Sequence, residues 1–402
     1  MARAHRQGGR QLLRWLRRVS EPAFALWRLG FRPFSLLAAG FSALSVALWA
    51  VQYAGLLSFA YLGGPTWHAH EMLFGYTLAV IAGFLFTAVR NWTGRPTPTG
   101  VPLAALAALW LAGRVLVLTP WSIAAAVVNV AFPLGVAAGI GVPLWRARSR
   151  RNYFFVGLLL LLAAALACIH LAALGALEVP PWVGLQLGLD VILFLMSVMA
   201  GRVVPMFTNN AVPGARARRS QYVERAALGG VLALLLADLL RLPGPLLVAL
   251  TLALAMVHGW RLWLWDPRST LRTPLLWVLH LAYAWIPLHL ALRAAAEAGW
   301  VMRPLAVHAL SMGAIGGLTI GMMVRTARGH TGLALRADRV ETTCFVLVAA
   351  AAVVRVFCPL FAPQHYLATV TLSATLWSAG FLLYAVRYWP ILTRARADGA
   401  PG

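Results

Sequence analysis

Two histidines and a glutamate stand together in WHAHEMLFG, Trp67 to Gly75, at the lip of a long apolar run. Imidazole is a preferred ligand for haem iron and copper, and a neighbouring carboxylate can orient a ligand imidazole or pass a proton. On a regular helix His68 and His70 point about 200° apart. They therefore serve two different sites, or the helix starts irregularly and presents both to one copper. Glu71 reads as a proton-transferring or ligand-orienting carboxylate, or more simply as an acid interacting with a helix start.

More histidines lie inside apolar stretches, where an ionisable group is costly and usually functional. An outer layer holds His68, His70, His170, His289 and His308, with His365 in a nearby loop. An inner layer holds His258 and His280, with His330 just beyond a helix end. For His170, His289 and His365 two readings stay open, a metal ligand or a hydrogen bond to a neighbour's carbonyl. Membrane acids are few (Glu71, Asp190, Asp238 and Glu297), so neutral-imidazole metal binding fits better than proton-coupled transport. Arg114 and Arg355 lie within spans on the arginine-poor side, where a guanidinium can grip haem propionates in bidentate fashion. Snorkelling to headgroups is the simpler alternative.

The elements that must position these residues are membrane helices. Of 402 residues, 61% are apolar and 11% charged, too little polar surface to keep a soluble domain of this size in water. The net charge of +23 is carried by arginines in short clusters between apolar runs, which sets topology and excludes a nucleic-acid-binding module. Cys168, Cys344 and Cys358 lie in spans without CxxC spacing and read as buried apolar residues. Twelve spans of about 20 residues are expected near 33–52, 68–90, 101–119, 121–145, 153–177, 183–208, 226–242, 244–265, 273–296, 303–326, 341–361 and 366–390. Residues 1–32 then form a basic amphipathic cytoplasmic segment, and 391–402 a cytoplasmic tail. The positive-inside rule places both termini in the cytoplasm and WHAHEM at the outer face.

An internal repeat runs through the chain. His70, Gly75, Ala79, Gly83 and Thr93-Gly94 recur 238 residues later as His308, Gly313, Gly317, Gly321 and Thr331-Gly332. Ser197, Gly201 and Asn209 form a weaker middle copy. Arg114, Arg241 and Arg355 each precede a proline near the outer face. Three pseudo-symmetric four-helix units are expected, with small residues every fourth position forming a packing stripe.

WHAHEMLFGYTLAVIAGFLFTAVRNWTGRP, GRVVPMFTNNA, PLLWVLHLAYAWIPL and HALSMGAIGGLTIGMMVRTARGHTG together closely resemble the NnrS family over nearly the whole chain. The motif residues are His68, His70, Glu71, Arg202, Asn209, His280, Tyr283, His308, Arg325 and His330. The resemblance implies a bacterial inner-membrane protein with haem b and copper, linked to nitric oxide metabolism, denitrification and protection from nitrosative stress. The three-by-four plan also resembles the catalytic subunit of haem–copper oxidases, although span 6 here has no histidine. That analogy ranks His70 and His308 as facing ligands of one haem, with His68 at a neighbouring metal. His258, His280 and His330 then form a second haem or copper site. The function expected is a nitric-oxide-handling oxidoreductase fed by a quinol or cytochrome. A non-catalytic nitric oxide sensor or scavenger, or a copper or small-solute carrier, are the alternatives.

Overall fold

A computed structural model describes residues 24–59 and 61–399, and among these it is all-α, with one isolated bridge and no strand. Most of the expected basic N-terminal segment lies outside the described residues. Helices α1 to α12 span Phe31–Tyr53, Gly64–Thr93, Val101–Leu116, Ser122–Arg146, Phe154–Ala173, Trp182–Ala211, Gln221–Leu239, Gly244–Leu264, Pro274–Glu297, Arg303–His330, Arg339–Phe361 and Tyr366–Thr393. Each coincides with one expected span. Ten are long and apolar enough to cross a membrane. The other two are α3, which has 16 residues, and α7, which carries Glu224, Arg225 and Asp238.

The boundaries follow from local chemistry. Prolines sit in the first turn of α2, α3, α8, α9 and α10, where the missing N–H costs nothing. Gly94, at φ +64°, ends α2 in the left-handed conformation that favours glycine. Asp338 and Glu341 form a reciprocal capping box at the start of α11.

Sequential helices pack as neighbours, and α12 returns to α1, so the bundle closes on itself. The two chain ends meet there. Ala25 N–H donates to the Thr393 carbonyl at 2.7 Å, and the buried Arg32 guanidinium donates to the carbonyls of Leu392 and Arg394. Helices α2 and α6 are the most enclosed, with 83% and 72% of their apolar windows buried against 28% for α8, so they carry the interior chemistry. Large apolar side chains such as Leu246, Leu252, Met256 and Trp260 of α8 are exposed, a surface suited to lipid tails.

The small-residue stripe works as the spacing suggests. A Cβ on Gly83 would meet Phe34 and the Phe31 backbone of α1, and one on Gly321 would meet Val278 and Leu279 of α9. At Gly313 it would lie 2.2 Å from the Trp285 ring. Gly313→Ala should therefore destabilise the protein by about 1–3 kcal/mol through overpacking, read as a lowered aggregation temperature in detergent. An unchanged transition would contradict this packing.

The repeat shows itself in the backbone. Immediately after His70 the helix widens into a π-helical stretch, Glu71–Thr77, and immediately after His308 it does so again, Ala309–Gly316. The two stretches begin at equivalent positions of the repeat. The Tyr76 and Thr319 hydroxyls, one from each of these helices, hydrogen-bond to each other. Helix α6, the middle copy, stays α-helical. Arg241 also departs from the pattern, being exposed with φ +51° beyond the end of α7, whereas Arg114 and Arg355 are buried within helices.

Candidate functional site

The π-helical stretches, frequent at functional sites, mark where the outer histidines gather. The α2 histidines face different partners. His68 stacks on Trp49 of α1, ring centroids 4.8 Å apart and planes 13° off parallel. It also meets His308 of α10, centroids 6.5 Å apart and planes 18° off parallel. Both imidazoles line a cavity of about 670 Å³ bounded by α1, α2, α6, α10, α11 and α12. Its walls are largely apolar, with Met72, Met312, Tyr76 and Trp377 toward the interior and Arg303, Gln186 and Arg355 among the polar residues.

Second contacts fix two of these groups. The His308 Nδ1–H donates to the Pro304 carbonyl at 2.6 Å, which leaves the lone pair on Nε2. Arg355 donates one Nη2–H to the Tyr366 hydroxyl at 2.9 Å and lies over that ring, while its buried Nη1 has no partner.

His70 belongs to a separate network. Its Nδ1–H donates to Glu71 Oε1 at 2.7 Å, and its Nε2 lies 3.2 Å from Nε2 of His170 on α5. Nδ1 of His170 is 2.9 Å from the Tyr61 hydroxyl. Glu71 also accepts from Arg114 Nη1 at 2.7 Å, and the Arg114 Nη2 donates to Asn129 of α4. Asn129 in turn donates to the Ala125 carbonyl at 2.8 Å. Gly75 makes this possible, because a Cβ there would lie 2.7 Å from Arg114 Nη1.

His70 and His308, expected as a pair, have different imidazole neighbours in the structure. His68 faces His308, and His70 faces His170. The helix carries residues two apart on opposite sides, and the second side of α2 here looks toward α5. Arg114, expected at a propionate, is instead a partner of Glu71 away from the large cavity. Of these two arginines, Arg355 is the one on the cavity wall.

The inner histidines His258, His280 and His330 have separate partners. His258 Nδ1 accepts from the Tyr283 hydroxyl at 2.7 Å, and Tyr283 accepts from Arg261, which grips Glu224 through Nε and Nη2 at 2.8 and 2.6 Å. His280 Nε2–H donates to Thr208 at 2.9 Å. His330 packs against Phe31, ring centroids 5.5 Å apart. Among the described residues no group of three or more His, Cys, Asp or Glu is placed to hold a metal ion. The bidentate Arg261–Glu224 pair satisfies a buried charge, so this layer is a structural network across α6 to α9. His258→Ala should leave the visible spectrum of the purified protein unchanged, and loss of a band would restore a cofactor to the inner layer.

The remaining expected residues divide similarly. The His289 Nδ1–H donates to the Ala306 carbonyl at 2.7 Å, the simpler of its two readings. His365 is exposed in a short turn. Arg202 bonds Asn152 at 3.0 Å, Arg325 lies over Phe207, and Asn209 pins the loop after α6 through both bonds to Ala217. Asp190 and Asp238 gather around Arg293, with Gln186 donating to Asp190 at 2.9 Å. Sequence reasoning passed over Arg293, Asn129, Trp49 and Tyr61. The first two carried a signal, a polar group inside an apolar span, and the last two carried none.

Fold and site together define a multi-pass α-helical membrane protein whose interior presents imidazoles in pairs, one pair on a large apolar cavity. The chain belongs to the NnrS family, whose model, described as NnrS protein, matches residues 25–396. A comparison with curated proteins finds no match.

Proposed function

We propose that this chain is a haem- and copper-binding protein of the bacterial inner membrane that binds nitric oxide and turns it over. Both termini would lie in the cytoplasm, with the paired histidines at the outer side. The observation that carries the reading is that His68 and His308 line one largely apolar cavity with their ring centroids 6.5 Å apart. Both imidazoles line the same cavity, whose largely apolar walls suit a macrocycle.

The residues present fit a haem b. His308, its tautomer fixed by Pro304, has an Nε2 lone pair to offer, and the unpartnered Nη1 of Arg355 is a donor awaiting an anion such as a propionate. Haem iron would supply a binding position for nitric oxide and one-electron chemistry there. His68 is held by stacking on Trp49 and has an unpartnered Nδ1, so it is the less tightly fixed of the two imidazoles. Reductive turnover of two nitric oxide molecules to nitrous oxide and water takes two electrons and two protons, for which a quinol or cytochrome is the donor class. Glu71, held by Arg114 and His70 off the cavity, serves to orient His70 rather than to carry those protons.

One observation favours the second reading, a sensor or scavenger without turnover. Two neighbouring imidazoles line the cavity, and if both held the haem no position would remain for nitric oxide. The test is the reduced-state spectrum of detergent-purified protein before and after nitric oxide. A shift supports binding at an opened iron, and a haem spectrum that ignores nitric oxide overturns the turnover reading.

A further inference from the structure

Helices α2, α6 and α10, which carry the repeat, each turn one continuous face inward. On α2 that face runs through Leu73, Thr77, Val80 and Phe84, three or four residues apart as a helix face requires. On α10 it runs from Met312 through Ile315 and Thr319 to Met322, and on α6 from Leu189 to Val203 at the same spacing. On all three the N-terminal part lines the large cavity, and the C-terminal part lines a second void of about 100 Å³. Thr77 belongs to both walls. The two voids are therefore stacked along the same three helices.

One hydrogen bond stands between them. Tyr76 lines the large cavity, Thr319 lines the inner crevice, and their hydroxyls are bonded to each other. The Thr319 O–H is directed to the Ile315 carbonyl at 2.6 Å, so Tyr76 is the donor of the pair. The Tyr76 ring is held edge-on by Trp377 and Phe381. One turn beyond Val203 and Met322, along the same two faces, the Arg325 guanidinium lies over Phe207, 3.6 Å from the ring centroid.

The lining decides what the crevice can hold. Among the described residues its wall carries no charged side chain, and the hydroxyls of Thr77 and Thr319 each donate to a carbonyl of their own helix. No side-chain donor is left for a polar solute, so an ion would be desolvated there without compensation. Cavities of this size lined by aliphatic side chains stay dry and accept small apolar molecules.

We propose that the crevice is a binding chamber for a small uncharged gas molecule, with the Tyr76–Thr319 bond as the latch between it and the large cavity. Nitric oxide is one member of that class, and only its choice as the occupant rests on the reading above.

Xenon, apolar and uncharged, is the probe. Xenon-pressurised crystals of the full-length protein should show xenon between Val80, Met199 and Met322. Val80→Phe, which places a ring in the crevice, should abolish it. Should that variant fail to fold, Met199→Ala enlarges the crevice and should raise the xenon occupancy. Tyr76→Phe should keep the xenon but speed its exchange, read by saturation-transfer xenon NMR, by about 10-fold, the rate equivalent of one net hydrogen bond. A crevice empty of xenon in wild type, xenon retained in Val80→Phe, or occupancy unchanged in Met199→Ala would overturn the chamber. An unchanged exchange rate in Tyr76→Phe would overturn the latch. Xenon bound in a protein whose spectrum ignores nitric oxide would keep the chamber and remove nitric oxide as its occupant. A nitric oxide shift in a protein that takes up no xenon would keep the function and remove the chamber.

Discussion

Replacing His308 with alanine should strip haem from the purified protein or move its bands, and replacing His68 should alter the same spectral component. His70→Ala should leave that component in place. The difference follows from position, because His68 and His308 share the large cavity while His70 is bound to Glu71 and His170 outside it. His308 should show the larger effect, since its Nδ1–H bond to Pro304 makes it the better fixed ligand. Absorption spectra normalised to protein content decide the matter. Loss of the bands in His70→Ala, with His68→Ala unchanged, would reinstate the pairing that helix analogy suggested.

The second large effect concerns Arg114. Removing one member of a buried charge pair leaves the other uncompensated, at a cost of about 3–5 kcal/mol. Glu71 and Arg114 are both buried and 2.7 Å apart, with His70 on the same carboxylate oxygen. Arg114→Ala should therefore sharply lower the yield of folded protein and its thermal stability. The double variant Glu71→Gln with Arg114→Met should recover most of the loss, since neither charge then remains. Haem content per folded protein should stay constant through the cycle. A stable Arg114→Ala protein that has lost haem would make Arg114 a propionate partner after all.

Much of the architecture was legible because apolar runs of bilayer length, bounded by proline, glycine and arginine, leave few alternatives. All twelve helix positions follow from them, including α3, cut short between Gly100 and Pro120. The repeat was legible in small residues that must recur where helices approach closely, as at Gly83 and Gly321. The π-helical stretches were not, because they depend on which carbonyl each amide meets rather than on residue type. The separation of His68 from His70 could be read from helix geometry alone. The identity of each partner could not, because a period fixes relative direction and not which helix lies there. His170 illustrates the limit. Nothing in the α5 sequence distinguishes a histidine bonded to a carbonyl, as His289 is, from one facing another imidazole. The lateral spacing of the inner histidines was illegible for a related reason, since depth along a helix says nothing about distance across the bundle.

The most direct measurement of the central claim is a count of haem and copper in the detergent-purified, full-length protein. The account predicts coloured protein holding haem and copper together, with haem lost on substitution of His308. Colourless protein free of both would contradict it and return the chain to a carrier of small solutes.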